Sequence, residues 1–164
     1  MIHLACCRAV PDLTQLSLSR SQGMIFEKGK RLLHADDARA VESALQAKGA
    51  GDEVVALVIG EEADGEALRR PLAMGADRAV LITDPQAAAW DDFVRANLRD
   101  ALAARLGGTL HTAAASVTPR TPNALAIMKS AKKPIEKMDV ATLGLSADDL
   151  TPRLVRRSSV LVDE

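Results

Sequence analysis

The chain has 164 residues, a formal charge of -1, and Phe26, Trp90 and Phe93 as its aromatic residues. That length suits one domain with a real core. The balanced charge removes the electrostatic case for nucleic acid, and the scarcity of aromatics removes a stacking platform for bases. No apolar run approaches the roughly 20 residues of a membrane span. The opening "MIHLACC" lacks the basic and long apolar regions of a signal peptide, and the adjacent Cys6 and Cys7 are poorly placed for a bridge. The expectation is a reduced, cytoplasmic protein.

In chain order, residues 2–7 read as a buried strand, closed by Arg8 and a turn over residues 10–12. Residues 13–33 form a weakly patterned connection with room for a short hairpin. Asp36 is placed to N-cap a helix whose apolar positions Ala38, Val41, Ala44 and Leu45 share one face, and Gly49 and Gly51 end it. Residues 54–59 read as a second buried strand, after which Gly60 and "EEADGEALRR" open a helix with acids in its first turn. Leu72, Ala73 and Met74 close that helix's apolar face, Gly75 supplies a left-handed C-cap, and residues 79–82 form a third buried strand. Pro71 lies inside the same helix and predicts a kink or an early end to regular bonding. A third helix runs over residues 90–106 and ends at Gly107 and Gly108. Three strand–helix units in a row specify a parallel sheet with helices packed on it.

Beyond Gly108 the pattern changes. "TLHTAAASVT" is an alanine-rich candidate strand, residues 122–132 are basic and amphipathic, and the tail "RLVRRSSVLVD" alternates enough for an edge strand.

In open α/β sheets ligands bind beyond the carboxyl ends of the strands. Those ends are residues 6–10, residues 59–62 and the helix start at residues 34–37. Amides at that helix start suit an anion, whereas Asp36 and Asp37 suit either a hydroxyl or base contact or plain capping, which is the simpler reading. Cys6 and Cys7 fit a small-residue buried strand better than a redox or metal site. His3, His34 and His111 lie on separate elements with no ligand spacing, so no metal site is expected. No Gly-x-Ser-x-Gly elbow supports a hydrolase triad, and the glycines of "GEEADGE" are wrongly spaced for a phosphate loop. Lys129, Lys132 and Lys133 recur on one side, as a solvated face or as a docking surface for an acidic partner. Pattern alone ends at an α/β domain, nucleotide-related, with no visible catalytic group.

Four stretches resemble the electron transfer flavoprotein beta subunit (FixA-like) family, in the same order along the chain. They are "HLACCRAVPD", "HADDARAVESALQAKGAGDEVVALVIG", "GEEADGEALRRPLAMGADRAVLITD" and "PRTPNALAIMKSAKKPIEKMDVATLG". The resemblance implies a three-layer, doubly wound α/β sandwich with a mostly parallel sheet, of the adenine nucleotide alpha hydrolase-like (HUP) type. It implies a nucleotide-binding core over residues 1–118, with a recognition loop and partner-docking arm over residues 119–164 of the same domain. The implied function is that of an electron carrier subunit rather than an enzyme. It pairs with an alpha subunit that holds most of the FAD and receives electrons from flavin-dependent dehydrogenases; the cofactor carries the chemistry.

The implied nucleotide, AMP or FAD, falls at Cys6, at His34, Ala35, Asp36 and Asp37, and at Ile59; "HADD" stands where the family usually has Asn-Pro-Phe-Asp. Partner recognition falls on Arg120, Ala124, Leu125, Lys129 and Lys132, with Ala124 aligned to the family's anchoring leucine. Two family segments have no counterpart. One is a fourth strand with its phosphate-wrapping loop, and the other is a hairpin that would lie between Thr118 and Pro119. Without the strand, the sheet should expose an edge beside the site. Without the loop's charge-assisted bonds, nucleotide binding should be weak. The alternative is a truncated adenine-nucleotide-binding module that transfers no electrons.

Overall fold

The computed structural model describes residues 1–27, 29–84, 90 and 92–144. The edge strand expected in the tail lies outside them. The chain opens with β1 (Ile2–Cys7) and then makes two antiparallel ribbons. β2 (Ala9–Pro11) pairs with β5 (Arg31–Leu33), and β3 (Leu16–Ser19) pairs with β4 (Met24–Glu27). The expected hairpin is therefore present. The turn read at residues 10–12 is mostly strand instead, because the returning segment supplies it with a partner. Next come α1 (Ala38–Ala47), β6 (Glu53–Ile59), α2 (Arg69–Met74), β7 (Arg78–Thr83), α3 (Asp92–Leu106), β8 (Gly108–His111), α4 (Ala124–Ser130) and β9 (Glu136–Asp139).

The central sheet has the order β8-β1-β6-β7-β9, and every neighbouring pair in it is parallel. β6 shows why such strands read as unbroken apolar runs: both of its faces are covered, so both parities must be apolar. Val54, Ala56 and Val58 pack beneath α1 and α2 with Ala5, Cys7 and Ala79. Val55, Leu57 and Ile59 pack on the opposite side with Leu98 and Leu102 of α3. Helices on both faces make three layers. After β7 the chain crosses through α3 and returns on the far side of β1, so the winding reverses at β1 and β8. This is the doubly wound α/β sandwich expected from the sequence.

Two expectations need correction. The edge of β1 beside the site is not open: β8 covers it, in register from Ile2 with Gly108 to Ala5 with His111, and on the far side β9 covers β7 from Val80 with Glu136 to Thr83 with Asp139. Arg78 clamps the pairing through two bonds to the Glu136 carboxylate, at 2.7 and 2.6 Å. The second helix is also not continuous. A 3-10 helix spans Glu62–Leu68, and α bonding is confined to Arg69–Met74. Pro71 sits in the first turn of that α segment, where its missing N–H leaves no extra orphan. The loss of regular bonding therefore falls on its N-terminal side. At the other end Ala76 and Gly75 donate to the carbonyls of Pro71 and Leu72 at 3.0 and 3.3 Å, a Schellman closure that needs the Gly75 φ of +123°. Among the described residues no helix is long and apolar enough to cross a membrane.

Candidate functional site

The carboxyl ends of β1 and β6 meet the start of α1 at one corner, and Arg8 fastens it. As the chain leaves β1, the Arg8 backbone N–H donates to Asp37 Oδ2 at 2.7 Å. Its guanidinium adds Nε to Oδ2 at 3.0 Å and Nη2 to Oδ1 at 2.9 Å. Asp37 is 3 % exposed, and a carboxylate so buried is tolerable only when paired and fully hydrogen-bonded. His34 closes the corner from the other side. Its backbone N–H donates to the Arg8 carbonyl at 2.9 Å, and its Nδ1 accepts from the Asp36 N–H at 3.3 Å.

The N-cap is therefore His34, capping a short 3-10 helix over Ala35–Asp37, rather than Asp36 capping α1. Asp37 occupies the cap position of α1 without capping it, because its carboxylate is held by Arg8. Its task is to fix the corner. Ala35 and Asp36 are exposed, and Asp36 lies 3.9 Å from Arg39.

Cys6 and Ile59 both belong to the side of the sheet covered by α3. Burial pushes the Cys6 thiol up to about 11, against the nearby Arg99 charge and with Asp37 and Asp100 adding to the rise. Burial also holds the Cys7 thiol well above its ordinary value on the opposite face. Both are protonated near neutrality, so neither is a ready nucleophile or thiolate ligand.

The first turns of α3 bring in residues that sequence reading did not single out. Arg95 donates from Nη1 to the Ile59 carbonyl at 3.2 Å and from Nε to the Trp90 carbonyl at 3.3 Å. Arg99 donates from Nε to the Arg95 carbonyl at 3.2 Å. Together with Cys7, Arg8, Leu57 and Ile59 these arginines line a cleft of about 60 Å³. A cleft of that size seats a small group, and anything larger would extend outward over the corner. The signal that could have found them is the position of a helix start following a parallel strand, which always lies at the carboxyl ends. A larger groove, of about 420 Å³, lies away from these ends between β5, α2 and α4.

The recognition segment divides in two. Arg120 is engaged within the chain: its backbone N–H, Nε and Nη2 reach the buried Glu42 carboxylate at 3.1, 2.7 and 2.9 Å. These bonds hold Glu42 down at about 2. Ala124, Leu125, Lys129 and Lys132 are exposed on and just beyond α4, Leu125 at 59 % with Met128 beside it at 68 %. Asn123 caps that helix by accepting from the Ala126 N–H at 2.8 Å, and Arg69 ties its end down through the Ser130 and Lys133 carbonyls.

The sheet also joins two histidines that the sequence keeps apart. His3 Nδ1 lies 3.1 Å from His111 Nε2, His3 Nε2 lies 3.3 Å from Asp52, and His111 Nδ1 lies 2.9 Å from the Ser43 hydroxyl. Asp52 only accepts, so His3 donates to it from Nε2; with both rings neutral, His111 then donates to His3 and Ser43 donates to His111. Among the described residues no three His, Cys, Asp or Glu side chains form a metal cluster.

A family profile described as "Electron transfer flavoprotein domain" matches residues 23–110. The chain is 38% identical over 84 residues to the caffeyl-CoA reductase-Etf complex subunit CarD of Acetobacterium woodii, covering 49% of this chain and 32% of that one. It is 32% identical over 108 residues to Protein FixA of Sinorhizobium fredii, covering 65% of this chain and 38% of that one. It is 36% identical over 96 residues to the electron transfer flavoprotein subunit beta of Syntrophomonas wolfei, covering 57% of this chain and 37% of that one. The chain thus spans about a third of the length of the curated relatives it matches.

Proposed function

The chain belongs to the electron transfer flavoprotein family, and from that membership we propose that it serves as a beta-subunit-like component of an electron carrier. It pairs with an alpha subunit that holds most of the FAD, and it carries electrons from flavin-dependent dehydrogenases. A nucleotide, AMP or FAD, lies against the carboxyl ends of β1 and β6. The observation that carries this reading is the match over residues 23–110, which takes in the His34 to Asp37 corner, Ile59, and Arg95 and Arg99 of α3.

The donor set fits such a group. Buried Leu57 and Ile59 give an apolar floor, Arg8 and Asp37 hold the corner rigid, and the guanidinium of Arg99 suits an anion. A bound flavin would supply the one- and two-electron chemistry. The chain's own residues orient it, exclude water from one end, and keep two protonated thiols out of the redox path. On α4, exposed Leu125 and Met128 offer an apolar anchor, with Lys129 and Lys132 beside them to steer an acidic dehydrogenase surface. A second reading, a nucleotide-binding module without electron transfer, is favoured by the Arg8–Asp37 corner and the arginine-lined cleft, which need no electron transfer to hold a nucleotide.

Co-expression with an electron transfer flavoprotein alpha subunit separates the two. The carrier reading expects a complex that co-elutes and retains flavin at a fixed ratio. An alpha subunit that purifies alone, beside a chain that still binds AMP, leaves the module.

A further inference from the structure

We propose that the groove between β5, α2 and α4 is a binding site for a small amphipathic anion, an acyl or aryl body carrying one carboxylate or sulfonate. The site lies away from the strand ends and is independent of the nucleotide reading given above.

The groove offers about 420 Å³, within the range of roughly 300–1,000 Å³ for pockets that take small organic ligands. Its buried lining is apolar: Leu33 of β5, Ala67 just ahead of α2, and Ala73 of α2. Ser130 is also buried there, but its hydroxyl is spent on the Ile127 carbonyl at 2.7 Å. Leu32 and Ile127 line the groove from β5 and α4 and are 46% and 53% exposed, so each has apolar surface left for a guest to cover.

The charge sits at the rim. Among the described lining residues Lys30, Arg31, Arg69 and Arg70 are cationic and Glu66 is anionic. Arg31 faces Asp64 at 3.5 Å, and Arg69 donates to the Ser130 and Lys133 carbonyls at 3.0 and 2.6 Å. Lys30 and Arg70 are exposed and have no hydrogen-bond or ion-pair partner among the described residues. Setting Arg31 against Asp64 leaves three cations and Glu66, a surplus of positive charge.

These two features select the ligand class together. An apolar body against the lining removes that surface from water, while an anionic head at the rim meets cations whose charge is unmatched. A neutral apolar molecule leaves the charge surplus unmet. An inorganic anion leaves the apolar lining wet.

The test is fluorescence titration of the chain with anilinonaphthalene sulfonate and with phenylnaphthylamine, the same aromatic body without the sulfonate. Circular dichroism verifies that each variant is folded, since a loosened core would bind both dyes. The proposal expects a single saturable site at which the sulfonate binds about tenfold more tightly than the neutral dye. Lys30→Gln with Arg70→Gln should bring the two affinities together by weakening the sulfonate alone. Ile127→Ser should weaken both dyes, and Leu125→Ser, an exposed change on the same helix outside the groove, should weaken neither. Equal affinities in wild type, or a sulfonate preference untouched by the double change, overturns the proposal. So does dye binding lost in Leu125→Ser and kept in Ile127→Ser, or the lack of saturable binding by the sulfonate.

Discussion

Replacing Arg120 by alanine strands the Glu42 carboxylate, and the consequence can be worked from the structure. Three bonds from Arg120 and one from Gln46 hold Glu42, whose side chain is 5% exposed, and draw it from its ordinary 4.5 to about 2. Taken whole, that shift corresponds to ~3 kcal/mol in favour of the folded state at neutral pH. Arg120 is half exposed, so solvent screening reduces the contribution to ~1–2 kcal/mol. The sign follows from a depressed carboxyl pKa. The contribution is fully present above 4.5 and is lost as the pH falls toward about 2. Urea unfolding of wild type and Arg120→Ala should therefore differ by ~1–2 kcal/mol at pH 7, with the gap narrowing from about pH 5 downward. Glu42→Gln together with Arg120→Ala should cost less than the two single changes added. An Arg120→Ala protein as stable as wild type at pH 7, or a gap that stays constant down to pH 3.5, would refute the reasoning.

Arg8→Ala should destabilise by ~2 kcal/mol, since it leaves Asp37 buried and unpaired, and Asp37→Ala in the same chain should recover part of the loss in thermal melts. Leu125→Ala, Lys129→Ala and Lys132→Ala should each leave stability within ~0.5 kcal/mol, because all three side chains are exposed. The leucine change should lower dehydrogenase-coupled electron transfer, and the lysine changes should slow association by an amount that shrinks as salt is raised in stopped-flow mixing. His111 is held below its ordinary 6.5 by burial and by His3, so its neutral form stabilises the fold above that pH and the contribution fades as pH falls below it. Wild type should therefore lose stability between pH 7.5 and 5.5, and His111→Asn should show a flatter profile in denaturant titrations at the two pH values.

The parts of this molecule that were legible in the sequence are those whose environment is set by near neighbours. "EVVALVI" could only be a strand covered on both faces, and Gly75 could only close a helix. β9 was not legible, because "EKMD" at a sheet edge has one strand neighbour and keeps alternate residues in water. The corner at residues 34–37 followed from topology, yet the tie that makes it rigid joins Arg8 to a carboxylate 29 residues away. Arg95 and Arg99 carried no signal of their own within the third helix, because only the topology sets the end of β6 beneath them. His3 and His111 are 108 positions apart, and only the parallel pairing of β1 with β8 brings them together.

The central claim is that this chain helps to pass electrons to a flavin held with a partner. The most direct test is anaerobic mixing of a flavin dehydrogenase and its substrate with an alpha subunit, in the presence and absence of this chain, while flavin absorbance is followed. The account predicts that the flavin bleaches within the enzyme's turnover time only when the chain is present, and more slowly with Leu125→Ala. Bleaching at the same rate without the chain, or none with it although the two subunits form a flavin-loaded complex, would contradict it.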